Sequence, residues 1–155
     1  MAILDTLLEW DAVTTTCSSV SANAVSAVSA STIVDLGVAG KDGWGTALDN
    51  RLSEGLMMHV NVQAMSLAAT CKMYIELCTL STVSSFASNA KAVCAVVIPY
   101  NATSMVGVKR SISVPAYNWD RYVSIRGRAI TAKCTSGTID VWLAPGVGDT
   151  SKAGR

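Results

Sequence analysis

The chain has 155 residues, of which 15% are charged and 50% are hydrophobic, and its mean hydropathy is +0.38. This length fits one domain, which we place over residues 1–155, and the charged fraction lies below the ~25% of a typical soluble domain. The longest apolar candidate, Val93–Ile98, stops at Pro99 and falls short of the ~20 residues of a spanning helix. These features exclude a transmembrane helix and favour a subunit whose surface is partly covered by other subunits.

The net charge of +1 does not suggest a nucleic-acid partner. Residues 1–54 hold seven acids and two bases, a net of −5, whereas residues 55–155 hold four acids and ten bases, a net of +6. This asymmetry either guides docking onto a complementary surface or is neutralised within one fold, and both interpretations stay open. Asp5, Glu9 and Asp11 stand where a secretory signal has basic residues, so we expect the protein to be made and assembled in the cytosol.

The N-terminal stretch contains four apolar residues at the spacing of one helical face, namely Ile3, Leu4, Leu7 and Leu8. The pattern predicts a short helix or an arm within residues 1–16, and Trp10 follows the apolar group. Residues 14–31 are mostly small and show no clear period, which is typical of one extended strand or of a linker. We expect residues 146–155 to form a flexible C-terminal tail.

From residue 32 onwards the hydrophobic period becomes two, which is the signature of half-buried strands. Turn signals separate the runs, and the three prolines each follow a run, where a missing N–H does no harm. If residues 14–31 form a strand, the chain has about eight strands, as in an antiparallel β-sandwich or jelly roll, and the fold class is all-β. The predicted runs are Thr32–Leu36, Leu56–Ala64, Cys71–Cys78, Val93–Ile98, Val108–Val114, Arg121–Ile130 and Thr138–Leu143.

The alternation also predicts which side chains face inwards. Met58, Val60 and Val62 share one face of the second run, and Ile139, Val141 and Leu143 share one face of the last. Asp140 and Trp142 then point away from the core. Because only a short connection separates Leu56–Ala64 from Cys71–Cys78, we predict that these two runs form a hairpin.

No catalytic, cofactor-binding or metal site is predicted. The single histidine, His59, lies on the polar side of its strand and is interpreted as a surface or interface residue. Glycoside hydrolysis would require two carboxylates, and the plausible ones are Glu76, Asp120 and Asp140. The five cysteines lack the ligand spacing of zinc sites and are expected to be free, mostly buried thiols: Cys17, Cys71, Cys78, Cys94 and Cys134.

Basic and aromatic residues interleave in the C-terminal half, as they would in a platform for single-stranded nucleic acid. The near-neutral net charge instead favours a solvated or subunit-facing sheet surface. The residues are Lys109, Arg110, Arg121, Arg126 and Arg128 with Tyr117, Trp119 and Tyr122.

Two tryptophans lie outside the clear strands, and tryptophan is enriched among interface anchors. Trp10 belongs to the N-terminal arm, and Trp44 belongs to the glycine-rich loop Gly37–Gly45, which also carries Lys41. Both either dock onto another subunit or fold back onto their own sandwich. The candidate interface residues are Ile3, Leu4, Leu7, Leu8, Trp10, Lys41 and Trp44.

In its arm and several strand segments the chain resembles the capsid cement (decoration) proteins of Bordetella-phage-like short-tailed bacteriophages. The resemblance lies in the leading arm Met1–Trp10, the strand end Thr32–Gly37, the strand Leu56–Ala64, and the terminal segments Arg121–Ile125 and Gly137–Val141. It covers most of residues 1–143 as a pattern, and no single motif is diagnostic.

The resemblance implies a jelly-roll fold, no catalytic site and no cofactor. It further implies a homo-dimer or homo-trimer that binds the outer surface of a tailed-phage capsid and bridges major capsid protein subunits, with no nucleic-acid or membrane partner. The alternative is a β-sandwich carbohydrate- or receptor-binding module of a virion, for which Tyr117, Trp119 and Trp142 are the candidate aromatic residues. A small hydrolase would require a cleft that joins two of the carboxylates.

Overall fold

The computed structural model describes residues 9–13, 19–26, 33–35, 56–83, 89–102, 105–115, 117 and 119–145. Several predicted features lie outside the described residues. They are Ile3, Leu4, Leu7 and Leu8 of the N-terminal segment, Lys41 and Trp44 of the glycine-rich loop, and the tail 146–155.

Within the described residues, eight β-strands form two four-stranded antiparallel sheets. The first sheet has the order β1-β8-β3-β6, and the second sheet has the order β2-β7-β4-β5. The strands are β1 (Glu9–Val13), β2 (Val34–Asp35), β3 (Leu56–Leu67), β4 (Lys72–Leu80), β5 (Lys91–Pro99), β6 (Lys109–Ser113), β7 (Tyr122–Ile130) and β8 (Cys134–Pro145).

The pairing follows one rule along the whole chain. The first strand pairs with the last, the second with the seventh, the third with the sixth and the fourth with the fifth. A single long antiparallel hairpin, wrapped so that alternate pairs enter opposite sheets, gives this order, and it is the jelly-roll topology. The predicted all-β sandwich of about eight strands is therefore confirmed.

The alternation read from the sequence corresponds to the two faces of each sheet. Met58, Val60 and Val62 of β3 are fully buried between the sheets, as are Ile139 and Val141 on β8. The second sheet supplies the opposite wall of the core through β4, β7 and β5. Its largest contributions are Met73, Ile75, Leu77, Ile98, Val123 and Ile125.

The predicted hairpin between Leu56–Ala64 and Cys71–Cys78 is wrong. β3 pairs with β6 and β8 in the first sheet, whereas β4 pairs with β5 and β7 in the second. The connection is a tight turn in which the Cys71 amide donates to the Ala68 carbonyl at 3.0 Å, and it carries the chain across the sandwich. A short connection limits the distance between strand ends, but it does not require the strands to hydrogen-bond to each other.

The N-terminal half crosses from one sheet to the other. Beyond β1, Val20 bridges Cys134 at the start of β8, and Val25 bridges Arg128 on β7. Between these bridges Asn23 adopts a φ of 58°, a left-handed conformation that asparagine tolerates better than most residues. Residues 9–13 of the predicted arm 1–16 form strand β1, so this part of the arm belongs to the first sheet.

Candidate functional site

Trp10 lies in the hydrophobic core between the sheets. Its side chain is 4% exposed and packs within the main cluster, and its backbone pairs with Val141 of β8. This position corrects the prediction that Trp10 anchors an interface, because a side chain inside the core has no surface left for a partner. The remaining candidate interface residues lie outside the part of the chain that the structure describes.

Trp119 also belongs to the core, and Tyr117 packs edge-on against it with ring centroids 5.7 Å apart. Two alternatives gave Trp119 an exposed role, namely a nucleic-acid platform and a carbohydrate-binding module, and its burial rules out that role for Trp119. Local alternation could not reveal this burial, since Trp119 precedes β7 in an irregular segment rather than in a strand.

Arg126 and Arg128 converge on Glu76 on the outer face of the second sheet. Arg126 donates from Nε and Nη2 to Glu76 Oε2 at 3.0 and 2.6 Å, and Arg128 Nε donates to Oε1 at 2.6 Å. Glu76 is 1% exposed, and the Ala90 carbonyl accepts a further bond from Arg126 Nη1 at 3.2 Å. The guanidinium group of Arg128 also lies over the Tyr74 ring at 5.1 Å.

This triad corrects the expectation that Arg126 lies on a solvated or subunit-facing surface. The register places Glu76 directly opposite Arg126 across β4 and β7, and nearby apolar residues on the same outer face pack around Cys78. Buried charges that are paired and hydrogen-bonded favour one strand register over others. A carboxylate held in this way is poorly suited to act as a reactive group. We assign Glu76 a structural role.

The three carboxylates considered for hydrolysis do not converge. Glu76 is ion-paired on the outer face of the second sheet, and Asp140 lies on the outer face of the first sheet. The whole sandwich therefore separates these two carboxylates. Asp120 forms an ion pair with Lys91 at 3.8 Å. None of these carboxylates lines the cavity beside His59 or the cavity beside Ser19 and Lys133.

The outer face of the first sheet carries a group of polar and aromatic side chains from β3, β6 and β8. His59 of β3 lies between Ser111 of β6 and Trp142 of β8 in one cross-strand row. The His59 and Trp142 rings stack with centroids 5.2 Å apart and an interplanar angle of 16°. His59 faces away from the core as predicted, but it is buried rather than a surface residue.

Asp140 lies one row further along the same face, held by two carboxamides. Gln63 Nε2 donates to Asp140 Oδ1 and Oδ2 at 2.9 and 2.8 Å, and Asn61 Nδ2 donates to Oδ2 at 3.2 Å. The residue is 5% exposed, so these bonds replace water around the carboxylate. The bonds also connect β3 to β8 beside the stacked rings.

A cavity of about 480 Å³ opens beside the stacked rings. Its cations are Lys109 and Arg110, both exposed, and neither forms an ion pair with any described residue. The site is therefore basic and partly aromatic, which suits an anionic group. The lining residues are His59, Val60, Lys109, Arg110, Ser111 and Trp142.

The four described cysteines are free thiols, and three of them are buried, as predicted. Burial raises the pKa of Cys78 to about 12 and the pKa values of Cys94 and Cys134 to about 11. Burial also raises the pKa of Cys71, whose Sγ donates to the Ala132 carbonyl at 3.1 Å. Thiols that stay protonated are poor nucleophiles and poor metal ligands.

Within the described ranges, no group of three or more His, Cys, Asp or Glu side chains is arranged to hold a metal ion. The same ranges contain no helix that is long and apolar enough to cross a membrane. No protein-family model matches the sequence, and no curated protein is significantly similar to it. We therefore base the functional proposal on the strand order, the surface chemistry and the resemblance noted in the sequence.

Proposed function

We propose that this chain is a structural virion protein of the cement, or decoration, type, which binds the outer surface of a tailed-phage capsid and bridges major capsid protein subunits. The observation that carries the proposal is the jelly-roll order β1-β8-β3-β6 and β2-β7-β4-β5. Jelly rolls are a recurrent architecture of viral structural domains, and the low charged fraction fits a subunit that other subunits cover.

The physical basis of cementing is preferential binding to the assembled shell. A ligand that binds only the assembled state stabilises it in proportion to ln(1 + [L]/Kd), and many copies add their effects. Moderate affinity per copy is therefore sufficient. No catalysis, metal or cofactor is required, and the acting part of the molecule is its surface.

The edge strand β5, which pairs with no described strand besides β4, supports the homo-dimer or homo-trimer that accompanies this proposal. The Tyr100 amide donates to the Cys71 carbonyl at 2.9 Å, so by antiparallel alternation Ala95 and Val97 direct their backbone groups away from β4. Residues 94–98 contain no charge and no proline, two of the devices that block edge pairing, and the β-bulge of this strand lies before them at Val93. Such an edge suits pairing with a second copy.

The self-association is tested by light scattering after size exclusion. We expect the wild type to elute as a dimer or trimer and an Ala95→Lys variant to shift towards the monomer, since a lysine blocks an edge strand. Lys72→Glu, which changes an exposed charge on β4 without touching the β5 edge, is the control. A monomeric wild type would contradict this part of the proposal.

The capsid proposal itself is tested by sedimentation. Purified protein is mixed with assembled capsids that lack it and, separately, with unassembled major capsid protein. We expect the protein to co-sediment with capsids and to raise their melting temperature, with little binding to free subunits. A protein that ignores assembled capsids would refute the proposal.

A second candidate function is carbohydrate binding in a virion, and the stacked His59–Trp142 pair favours it. Aromatic rings beside carboxylate and carboxamide groups are suited to sugar recognition, and Trp142 is half-buried rather than enclosed. Because Trp119 is in the core, the informative substitution is Trp142→Ala. Specific binding on a glycan array that this change abolishes, without loss of fold, would favour the second candidate.

A further inference from the structure

The edge strand β6 combines a free backbone edge with unpaired positive charge. The Val62 amide donates to the Val108 carbonyl at 2.9 Å, and the Val114 amide donates to the Leu56 carbonyl at 2.8 Å. The hydrogen-bonded pairs of an antiparallel ladder alternate. Lys109, Ser111 and Ser113 must therefore direct their backbone N–H and C=O groups away from β3, towards the side on which no described strand pairs with β6.

The side chains of the same three residues lie on the outer face of the first sheet. Ser111 is opposite His59 and Lys109 is opposite Asn61. Both residues line the cavity that Trp142 also lines. A strand added to β6 would place every second side chain on this face, next to Lys109. The Lys109 carbonyl already accepts a bond from Arg110 Nη1 at 3.2 Å and keeps a second lone pair.

The positive charge at this edge indicates which kind of strand can pair with β6. Lys109 and Arg110 are exposed and form no ion pair with a described residue, so an incoming carboxylate would meet two unneutralised cations. A second copy of β6 would instead bring four cations onto two adjacent strands, and like charges on adjacent strands are destabilising. Charge therefore favours a foreign acidic strand over self-pairing at this edge.

We propose that β6 is a strand-addition site for an extended, acidic segment of a partner protein, with one acidic side chain seated in the cavity beside Trp142. Backbone hydrogen bonds supply affinity in this recognition mode, and alternate side chains supply specificity. The identification of the partner as the major capsid protein rests on the proposed function, whereas the chemistry of the segment does not.

The first test uses a short peptide in which glutamate alternates with valine, and its glutamine counterpart as the neutral control. We expect the acidic peptide to bind and its affinity to fall several-fold between about 0.05 M and about 0.5 M salt, because the charges are exposed. The double variant Lys109→Glu/Arg110→Glu should bind at least about tenfold more weakly. The matched control is Lys72→Glu/Lys133→Glu, which reverses two exposed lysines elsewhere.

The second test distinguishes strand addition from simple charge attraction. Amide exchange of Lys109, Ser111 and Ser113 should slow when the peptide binds, whereas Arg110 and Ile112 are already bonded to β3 and should change little. Ser111→Pro removes an outward N–H and should weaken binding, while Ser111→Thr keeps it. Equal binding of the neutral peptide would overturn the inference, and so would amide protection that lacks this alternation. The inference would also fail if a glycan bound in the cavity and the peptide did not bind.

Capsid binding separates this inference from the proposed function. If the wild type and the double variant bind capsids equally, the major capsid protein is not the partner that β6 binds, and the cement proposal stands. If the wild type binds the acidic peptide but not capsids, the cement proposal is wrong and the strand-addition site stands. Loss of capsid binding in the double variant alone supports both.

Discussion

Two arginine–carboxylate pairs in this protein have nearly the same length but very different surroundings. Arg126 and Glu76 are 2.6 Å apart with side chains 9% and 1% exposed, whereas Arg121 and Asp35 are 2.7 Å apart with side chains 42% and 43% exposed. If one partner of the buried pair is lost, water cannot take its place beside the remaining charge, whereas water can do so at the exposed pair. At the scale of the residue, burial rather than distance decides how much a charge contributes.

We expect Glu76→Gln to lower the free energy of unfolding by about 3 kcal/mol, because it leaves the guanidinium group of Arg126 buried without a counter-charge. The matched control is Asp35→Asn, which breaks the exposed pair and should cost less than about 1 kcal/mol. Urea unfolding of the two variants measures the difference. Equal losses would show that Glu76 is more accessible to water than the structure has it.

The raised thiol pKa values predict a stability that declines in alkali. An unfolded thiol ionises near 9.0, but the folded Cys78, Cys94 and Cys134 keep their protons to about 12, 11 and 11. The folded state thus binds more protons than the unfolded state above about pH 9, and stability falls as the pH rises through this range. Urea titrations at increasing pH test the sign, and a Cys134→Ala variant should show a shallower decline.

The same thiols should resist alkylation in the folded state. A thiol with a pKa near 11 is ionised in roughly one molecule in a thousand at pH 8, and only the thiolate reacts well. We expect iodoacetamide to label Cys78 and Cys134 much more slowly in native buffer than in urea, as measured by peptide mass spectrometry. Rapid native labelling of either residue would contradict its burial.

At the scale of the element, two of the turns that carry the chain between sheets contain a threonine with positive φ. Thr70, between β3 and β4, has a φ of 69°, and Thr131, between β7 and β8, has a φ of 74°. A β-branched residue in this region is strained by about 1 kcal/mol or more. Thr131 is partly compensated, since its amide donates to Asn23 Oδ1 at 3.3 Å.

We expect Thr70→Asn to stabilise the protein by about 0.5–1 kcal/mol, because asparagine tolerates the left-handed conformation better than threonine does. Thr135→Asn is the control of opposite sign, because the Thr135 hydroxyl on β8 donates to the Ser66 carbonyl at 3.0 Å and threonine is the better strand residue. Thermal unfolding compares the two. A loss of stability at Thr70 would show that its side chain makes a compensating contact.

At the scale of the whole molecule, the segment from β1 to β2 joins the two sheets. Trp10 inserts into the core from the first sheet, Val20 and Val25 bridge β8 and β7, and β2 then completes the second sheet. The two sheets share one core, and the described parts of this segment pair with both sheets. They should therefore unfold together rather than in succession.

We expect one cooperative transition in urea by both tryptophan fluorescence and circular dichroism, and we expect Trp10→Ala to destabilise it by about 3–5 kcal/mol without splitting it. A cost near zero would place Trp10 at the surface, as an interface anchor would be. Two separate transitions would show that the sheets are independent units.

The strands themselves were largely predictable. The predicted run Leu56–Ala64 lies within β3, and the predicted run Thr138–Leu143 lies within β8. The outward direction of Asp140 and Trp142 followed from alternation alone. The acidic partner of Arg126 did not, because Glu76 is 50 residues away along the chain and only the β4–β7 register brings the two together.

The sequence by itself determined where the strands lie and which side chains of the clear strands face the core, because the period of two is a local property of the backbone. Only the tertiary structure decided which strands are neighbours, since pairing depends on contacts between distant parts of the chain. The pairing order places β3 and β4 in different sheets and buries Trp10 and Trp119. It also pairs Glu76 with Arg126 and leaves β6 as a basic edge beside His59 and Trp142. The interaction surface is therefore a product of the pairing order rather than of any motif.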